Sequence, residues 1–178
     1  IPYHRLFTRT EPIFIEGYGE FEGYANRNSL QYREVYGLGQ IPTIFRGTLR
    51  RKGYSEAWDV FVQLGLTDDT YTLEDSEHMT FRDYLNSYLR YEDDKSVEAK
   101  LCEFLSINPD GEVMKKLVWL GIFEKKAIGL KNATPAQVLQ LLLEQKWKLN
   151  PGDKDMIAMY HYFEYEKDGK QHRLSSHM

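Results

Sequence analysis

The 178-residue sequence is poor in several features that mark common functional classes. It has one cysteine, Cys102, so it can form neither an intrachain disulfide nor a thiolate metal cluster. No apolar run reaches the length needed to span a membrane, and no basic-then-apolar leader opens the sequence. The net charge of −4 argues against a nucleic-acid partner. We therefore expect a soluble protein in a reducing, cytoplasmic setting.

Histidines and glycines occur without the spacing that metal or nucleotide sites require. The five histidines contain no helical pair one turn apart, so no metal site is predicted. His161 and His172 could face each other across a final hairpin, where a surface pair is the simpler interpretation. The glycine pairs at 17–19 and 37–39 lack the third glycine of a dinucleotide fingerprint. The sequence thus predicts no cofactor within this chain, and it identifies no catalytic residue.

Periodicity divides the chain into strand-rich ends and a helical middle. Helical spacing of apolar residues runs through most of 80–148, and Asp168-Gly169 predicts a tight hairpin turn near the end. The predicted strands lie at 13–15, 21–24, 43–51, 156–165 and 171–178. We predict an α+β fold with one mixed or antiparallel sheet built from both ends of the chain. The sheet domain would comprise 1–66 and 152–178, and an all-helical insertion would comprise 67–151.

Capping patterns predict where several helices begin. Thr80 with Asp83 and Thr134 with Gln137 have the spacing of capping boxes, in which each side chain accepts from the other residue's backbone N–H. Ser29 could cap a short helix in the first third of the chain. These patterns are local, so they predict helix starts independently of the fold.

Two arginine-rich blocks in the first third favour an anion site. Period-two alternation along the predicted strand would put Arg46, Thr48 and Arg50 on one face. A polar turn at 26–29 contains Arg27 and offers further donors. The guanidinium fork matches the two oxygens of a carboxylate and keeps its charge at any working pH. A surface strand whose arginines pair with nearby acids is the plainer alternative.

The same blocks resemble the saccharopine dehydrogenase family. Its members carry F-E-G-Y-x-N-R-[DN]-S, then a tyrosine-glycine pair, then R-G-T-L-R-[YR]-x-G-[YF]. Here these motifs stand at 21–29, 36–37 and 46–54, and 154–157 resembles the family's return strand. The resemblance extends over nearly the whole chain and is weakest in the helical middle.

The resemblance implies a fold of the dehydrogenase substrate-domain type. The family oxidises saccharopine to α-aminoadipate semialdehyde and glutamate in lysine metabolism, with NAD or NADP bound mainly by an N-terminal Rossmann domain that this chain lacks. By resemblance, saccharopine would be held by Arg27, Thr48, Leu49 and Arg50. Possible supporting residues are Asn26, Ser29, Arg46 and Gly47. The fragment alone is not expected to turn over.

The expected partners are the protein's own Rossmann domain and a second copy of the chain. A tyrosine-rich sheet face with Tyr160, Tyr162 and Tyr165 would serve dimerisation or pack on the nucleotide domain. Two alternatives remain open. The chain could belong to a related imine reductase of the carboxynorspermidine type, or it could be a non-catalytic module for anion binding or oligomerisation.

Overall fold

A computed structural model describes residues 1–26 and 28–178. They divide into two compact units, which we call the sheet unit (Ile1–Ser55 with Pro151–Met178) and the helical unit (Glu56–Asn150). The strands are β1 (Glu11–Ile15), β2 (Gly19–Ala25), β3 (Gly47–Arg51), β4 (Tyr160–Lys167) and β5 (Lys170–His177). The helices are α1 (Tyr32–Val35), α2 (Tyr54–Leu64), α3 (Phe81–Asn86), α4 (Val97–Leu105), α5 (Glu112–Leu120) and α6 (Pro135–Trp147).

The strands β1, β2 and β3 form an antiparallel sheet in that order. Gly17 allows the β1–β2 turn because its φ of 79° lies in the left-handed region. Since β2 is the central strand, its segment 21–24 is buried on both faces. Phe7 packs edge-on against Tyr24, with ring centroids 4.9 Å apart, which closes one face of the sheet over an aromatic cluster.

The strands β4 and β5 form a separate two-stranded sheet. The predicted turn is confirmed: Asp168 and Gly169 have φ values of 53° and 69°, as a type I′ hairpin turn requires. Among the residues that the structure describes, no strand pairing joins this hairpin to β1–β3, so the prediction of one sheet built from both chain ends is wrong. A turn specifies the pairing of neighbouring strands, whereas no local signal tells which distant edge a hairpin joins.

The hairpin register separates side chains that the sequence suggested lie together. His172 lies opposite Tyr165 and not opposite His161, so the proposed histidine pair is wrong. Because side chains alternate between faces, Tyr160 and Tyr162 lie on one face and Tyr165 lies on the other. The tyrosine-rich face expected from the sequence is therefore wrong in its membership.

The helical unit packs its five helices, α2 to α6, around one apolar core. Both capping boxes are confirmed: Thr80 pairs with Asp83 at the start of α3, and Thr134 pairs with Gln137 at the start of α6. No helix in the described part of the chain is both long and apolar enough to cross a membrane. The most deeply buried core residues include Leu66, Phe81, Tyr84, Leu85, Leu101, Leu117, Ile122 and Val138.

Candidate functional site

Thr48 and Arg50 lie on the same face of β3. Thr48 is opposite Tyr24 and Arg50 is opposite Glu22 in the β2–β3 ladder, and residues that are directly opposite share a face. Thr48 is half-buried, whereas Arg50 is exposed. This face of the sheet therefore presents a hydroxyl and a guanidinium side by side, as alternation along the strand predicts.

Arg46 does not belong to this face as a strand residue. β3 begins at Gly47, so the predicted strand 43–51 is too long by its first residues, and the three-residue face that included Arg46 is wrong. The physical reason is that β2 ends at Ala25, opposite Gly47, so among the described residues no strand residue pairs with Arg46. The Arg46 guanidinium instead covers the ring of Tyr32, with its Cζ 3.6 Å from the ring centroid.

Gly47 keeps the backbone close to β2 where the strand starts. A Cβ at this position would lie 2.8 Å from the carbonyl oxygen of Tyr24 and 2.9 Å from the ring of Phe45. Only glycine therefore fits without a shift in the neighbouring backbone. Gly47 supports the site through this close approach and contributes no side chain.

The polar turn after β2 is tied to the start of β3. The backbone N–H of Asn26 donates to the Arg46 carbonyl at 3.0 Å, and the Arg46 N–H donates to Ser29 Oγ at 3.0 Å. Ser29 therefore does not cap a helix as predicted, because its hydroxyl accepts a non-local bond and α1 begins without a side-chain cap. Asn28 Oδ1 accepts from the Leu30 N–H at 3.1 Å. Arg27 lies outside the described residues, so its assigned role stays a prediction.

Glu22 lies opposite Arg50, but its carboxylate binds the start of α2. The Glu22 carboxylate is buried and accepts from the N–H of Gly53 at 3.1 Å and from the N–H of Ser55, at the start of α2. Among the described residues Arg50 makes no ion pair, and its Nη1 donates to the Leu49 carbonyl at 3.0 Å. The Leu49 side chain lies on the other face of β3. The exposed charge of Arg50 is thus available to an anion from solvent.

Tyr54, the first residue of α2, lies beside Arg50. The Cζ atom of Arg50 is 5.3 Å from the Tyr54 ring centroid, which is a cation–π contact. Burial is the main cause that raises the pKa of Tyr54, with Tyr24 and Tyr3 adding to it, while Arg50 acts in the opposite direction. The phenol therefore stays neutral at physiological pH next to the guanidinium.

Sequence reasoning missed Glu22 and Tyr54 as members of this site. Glu22 was not predicted because an acidic residue in a strand is usually exposed to solvent. The available signal was at Gly53, just before α2, where no Ser, Thr, Asp or Asn stands to cap the helix. The first N–H groups of such a helix need another acceptor, which can be water or, as here, a buried acid on a neighbouring strand.

The chemistry open to this arrangement is the binding of an anion. Within 1–26 and 28–178, no group of histidine, cysteine and acidic residues could hold a metal ion. The paired strands of the described chain are all antiparallel, so none of them is the parallel strand that leads into a nucleotide-binding helix. Thr48 and Arg50 can donate to a carboxylate, and the turn at Asn26 and Ser29 lies next to the start of the same strand.

The whole chain, residues 1–178, matches the family model of the saccharopine dehydrogenase C-terminal domain. It is 27% identical over 175 residues to the saccharopine dehydrogenase [NADP(+), L-glutamate-forming] of Schizosaccharomyces pombe, which covers 93% of this chain and 39% of that protein. It is 32% identical over 142 residues to the mitochondrial alpha-aminoadipic semialdehyde synthase of Bos taurus, covering 78% of this chain and 15% of that protein.

The fold is also found in a solved structure. Apo histidine-tagged saccharopine dehydrogenase (L-Glu forming) from Saccharomyces cerevisiae matches with a TM-score of 0.75 at 23% identity, over 97% of this chain and 41% of that chain. This likeness shows a common fold. The chain thus spans about two fifths of the length of the yeast relatives that it matches.

Proposed function

The chain belongs to the saccharopine dehydrogenase C-terminal domain family, and from this we propose that it is the substrate-binding part of a saccharopine dehydrogenase. The observation that carries the proposal is Arg50, which is exposed beside Thr48 and has no acidic partner among the described residues. Saccharopine has three carboxylates and a secondary amine. A carboxylate bound by a guanidinium fork is held in both position and orientation.

In this proposal the chain binds and orients, and the parent protein does the chemistry. The parent would oxidise saccharopine to α-aminoadipate semialdehyde and glutamate with NADP, the nucleotide in the names of the fungal relatives. We assign the nucleotide to the part of the parent that lies outside this chain. Fixing the carboxylates places the reacting carbon, and such positioning lowers the entropic cost of the reaction. The isolated chain would not turn over.

The proposed domain limits are 1–66 with 152–178 for substrate binding and 67–151 for the helical insertion. The residues that carry the candidate site all lie in the first of these ranges. Most of the apolar core of the helical unit comes from 67–151, while Val60, Phe61, Leu64 and Leu66 add to it from the first range.

We also propose that the parent forms a homodimer through the hairpin β4–β5. Both strands are exposed along nearly their whole length. The face with Phe163, Tyr165 and Leu174 is the apolar one, and each of these side chains is about half exposed. Exposed apolar side chains on a two-stranded sheet favour a covering partner.

Replacing arginines in the full-length protein tests the proposed site. Each charge-assisted hydrogen bond is worth about 1.5–3 kcal/mol, so Arg50→Ala and Arg27→Ala should each raise KM for saccharopine roughly tenfold to a hundredfold. We expect kcat to change less, because binding is the lost function. Steady-state kinetics measures both constants.

The matched control is Arg90→Ala, which removes an exposed arginine from the helical unit and should leave KM within about twofold. If Arg50→Ala and Arg27→Ala both keep the wild-type KM, the proposed function of this face is wrong.

A further inference from the structure

We propose that Tyr54 is a positioning residue of the substrate site: it holds the Arg50 guanidinium in its binding pose and does not itself contact the substrate. The inference deepens the proposed function and rests on it. It concerns a residue that neither alternation along β3 nor the search for anion donors selects, because Tyr54 belongs to a helix and is neither basic nor acidic.

The backbone around Tyr54 is fixed by Glu22. The N–H groups of Gly53 and Ser55, on either side of Tyr54, both donate to the same buried carboxylate. Gly53 adopts a φ of 83°, a conformation that favours glycine and turns the chain sharply from β3 into α2. Two bonds to one carboxylate therefore anchor the first turn of α2 to β2, and Tyr54 starts from a rigid backbone.

Aromatic residues cover the face of the sheet that carries Arg50. Tyr24, which is buried, lies on this face opposite Thr48. Tyr24 and Tyr3 each pack edge-on against Phe7, with ring centroids 4.9 Å and 5.9 Å apart. Tyr54 itself is half-buried, which limits the movement of its ring.

Arg50 gains its orientation from two contacts. One is the cation–π contact with the Tyr54 ring, and the other is the hydrogen bond from Nη1 to the Leu49 carbonyl. A free arginine on a surface loses considerable rotamer entropy when it binds a ligand, and holding it beforehand removes part of that cost. The contacts with Tyr54 thus raise affinity for a carboxylate without adding a new contact to it.

The chemistry of the phenol suits this role better than that of an acid. An acidic partner would hold Arg50 equally well, but it would neutralise the charge that the substrate must meet. A neutral phenol offers its ring face to the guanidinium and leaves the positive charge in place. Glu22, the acid opposite Arg50, is kept from neutralising it by its bonds to the start of α2.

The test is a double-mutant cycle in the full-length protein, with KM for saccharopine and kcat as readouts. Tyr54→Phe keeps the ring that Arg50 contacts and should change KM less than about threefold. Tyr54→Leu removes the ring and should raise KM roughly threefold to tenfold. In the Arg50→Ala background, both replacements should change KM less than about twofold, because the residue they position is absent. We expect kcat to stay within about twofold throughout.

The control is Tyr91→Phe, which alters an exposed tyrosine of the helical unit and should have no effect on KM. A KM rise from Tyr54→Leu that persists in full when Arg50 is alanine would overturn the inference, because Tyr54 would then act independently of Arg50. The same holds if Tyr54→Leu leaves KM unchanged while Arg50→Ala raises it. If Arg50→Ala itself has no effect, the proposed function fails.

Discussion

The Glu22 carboxylate could pair with Arg50 or accept hydrogen bonds from the start of α2, and the interaction energies favour the helix start. An opposite-charge pair across two strands, here Glu22 with Arg50, contributes about 0.2–1 kcal/mol. A hydrogen bond to a charged acceptor contributes about 1.5–3 kcal/mol, and Glu22 accepts two of them at a helix start, where the dipole also favours a negative charge. The Glu22 carboxylate therefore binds the N–H groups at the start of α2, and the Arg50 charge stays available to a ligand.

The Asp83 carboxylate in the helical unit links stability to pH. Asp83 Oδ2 accepts from the Thr80 hydroxyl at 2.6 Å and from the Thr80 N–H at 3.1 Å, and these bonds lower the pKa of Asp83, in that order of importance. A carboxyl group with a lowered folded-state pKa stabilises fully above its unfolded pKa, which is about 3.9, and this contribution is lost as pH falls through the folded value.

We therefore predict that Asp83→Asn lowers the free energy of unfolding at pH 7 by about 0.5–1 kcal/mol. The difference from the wild type should shrink as pH is lowered below about 4, because the wild-type side chain then becomes neutral as well. Urea unfolding of the full-length protein at pH 7 and pH 3 measures this. Asp94→Asn, at an exposed loop position, is the control. A difference that stays constant with pH would contradict the assignment.

Single residues of the site were predictable only where the cause is local. Thr48 and Arg50 share a face because alternation along a strand is a property of the strand itself. Ser29 and Arg46 were misplaced because the bond between them joins positions far apart in sequence. Glu22 could not be assigned to α2 without knowing that β2 lies next to the helix start, which is information about the fold and not about the motif.

At the scale of elements, capping and turn chemistry determined what could be predicted. The two capping boxes and the Asp168-Gly169 turn were predictable because a few neighbouring residues satisfy their own backbone groups. Strand length was less accurate, since β3 begins only at Gly47, opposite the last residue of β2. Which sheet a hairpin joins depends on long-range pairing, and the single predicted sheet failed on that point.

The hairpin β4–β5 supplies a test of the proposed dimer. Phe163 and Leu174 lie opposite each other and are exposed by 51% and 54%. Replacing both with arginine should convert the full-length dimer into a monomer, because two charges would have to be buried in the interface. Sedimentation velocity at micromolar concentration measures the state.

The matched control for the hairpin is Tyr162→Arg, on the opposite face of β4, and it should leave the dimer intact. A wild-type protein that sediments as a monomer would contradict the dimer. A double variant that remains dimeric would instead favour packing of this face on the nucleotide domain.

At the scale of the whole molecule, the periodicity of apolar residues predicts strands at both ends of the chain and helices between them. The helical unit could be anticipated because its apolar spacing is regular and its caps are explicit. That pattern does not predict the function. The arginine motifs predict it, and the family match over residues 1–178 agrees with them.

The most direct test of the central claim is a crystal structure of the full-length protein with saccharopine bound. We expect one substrate carboxylate oxygen to lie about 2.7–2.9 Å from a guanidinium nitrogen of Arg50, with Thr48 on the same side of the ligand. Saccharopine bound in the protein with all of its carboxylates away from Arg50 would contradict the account.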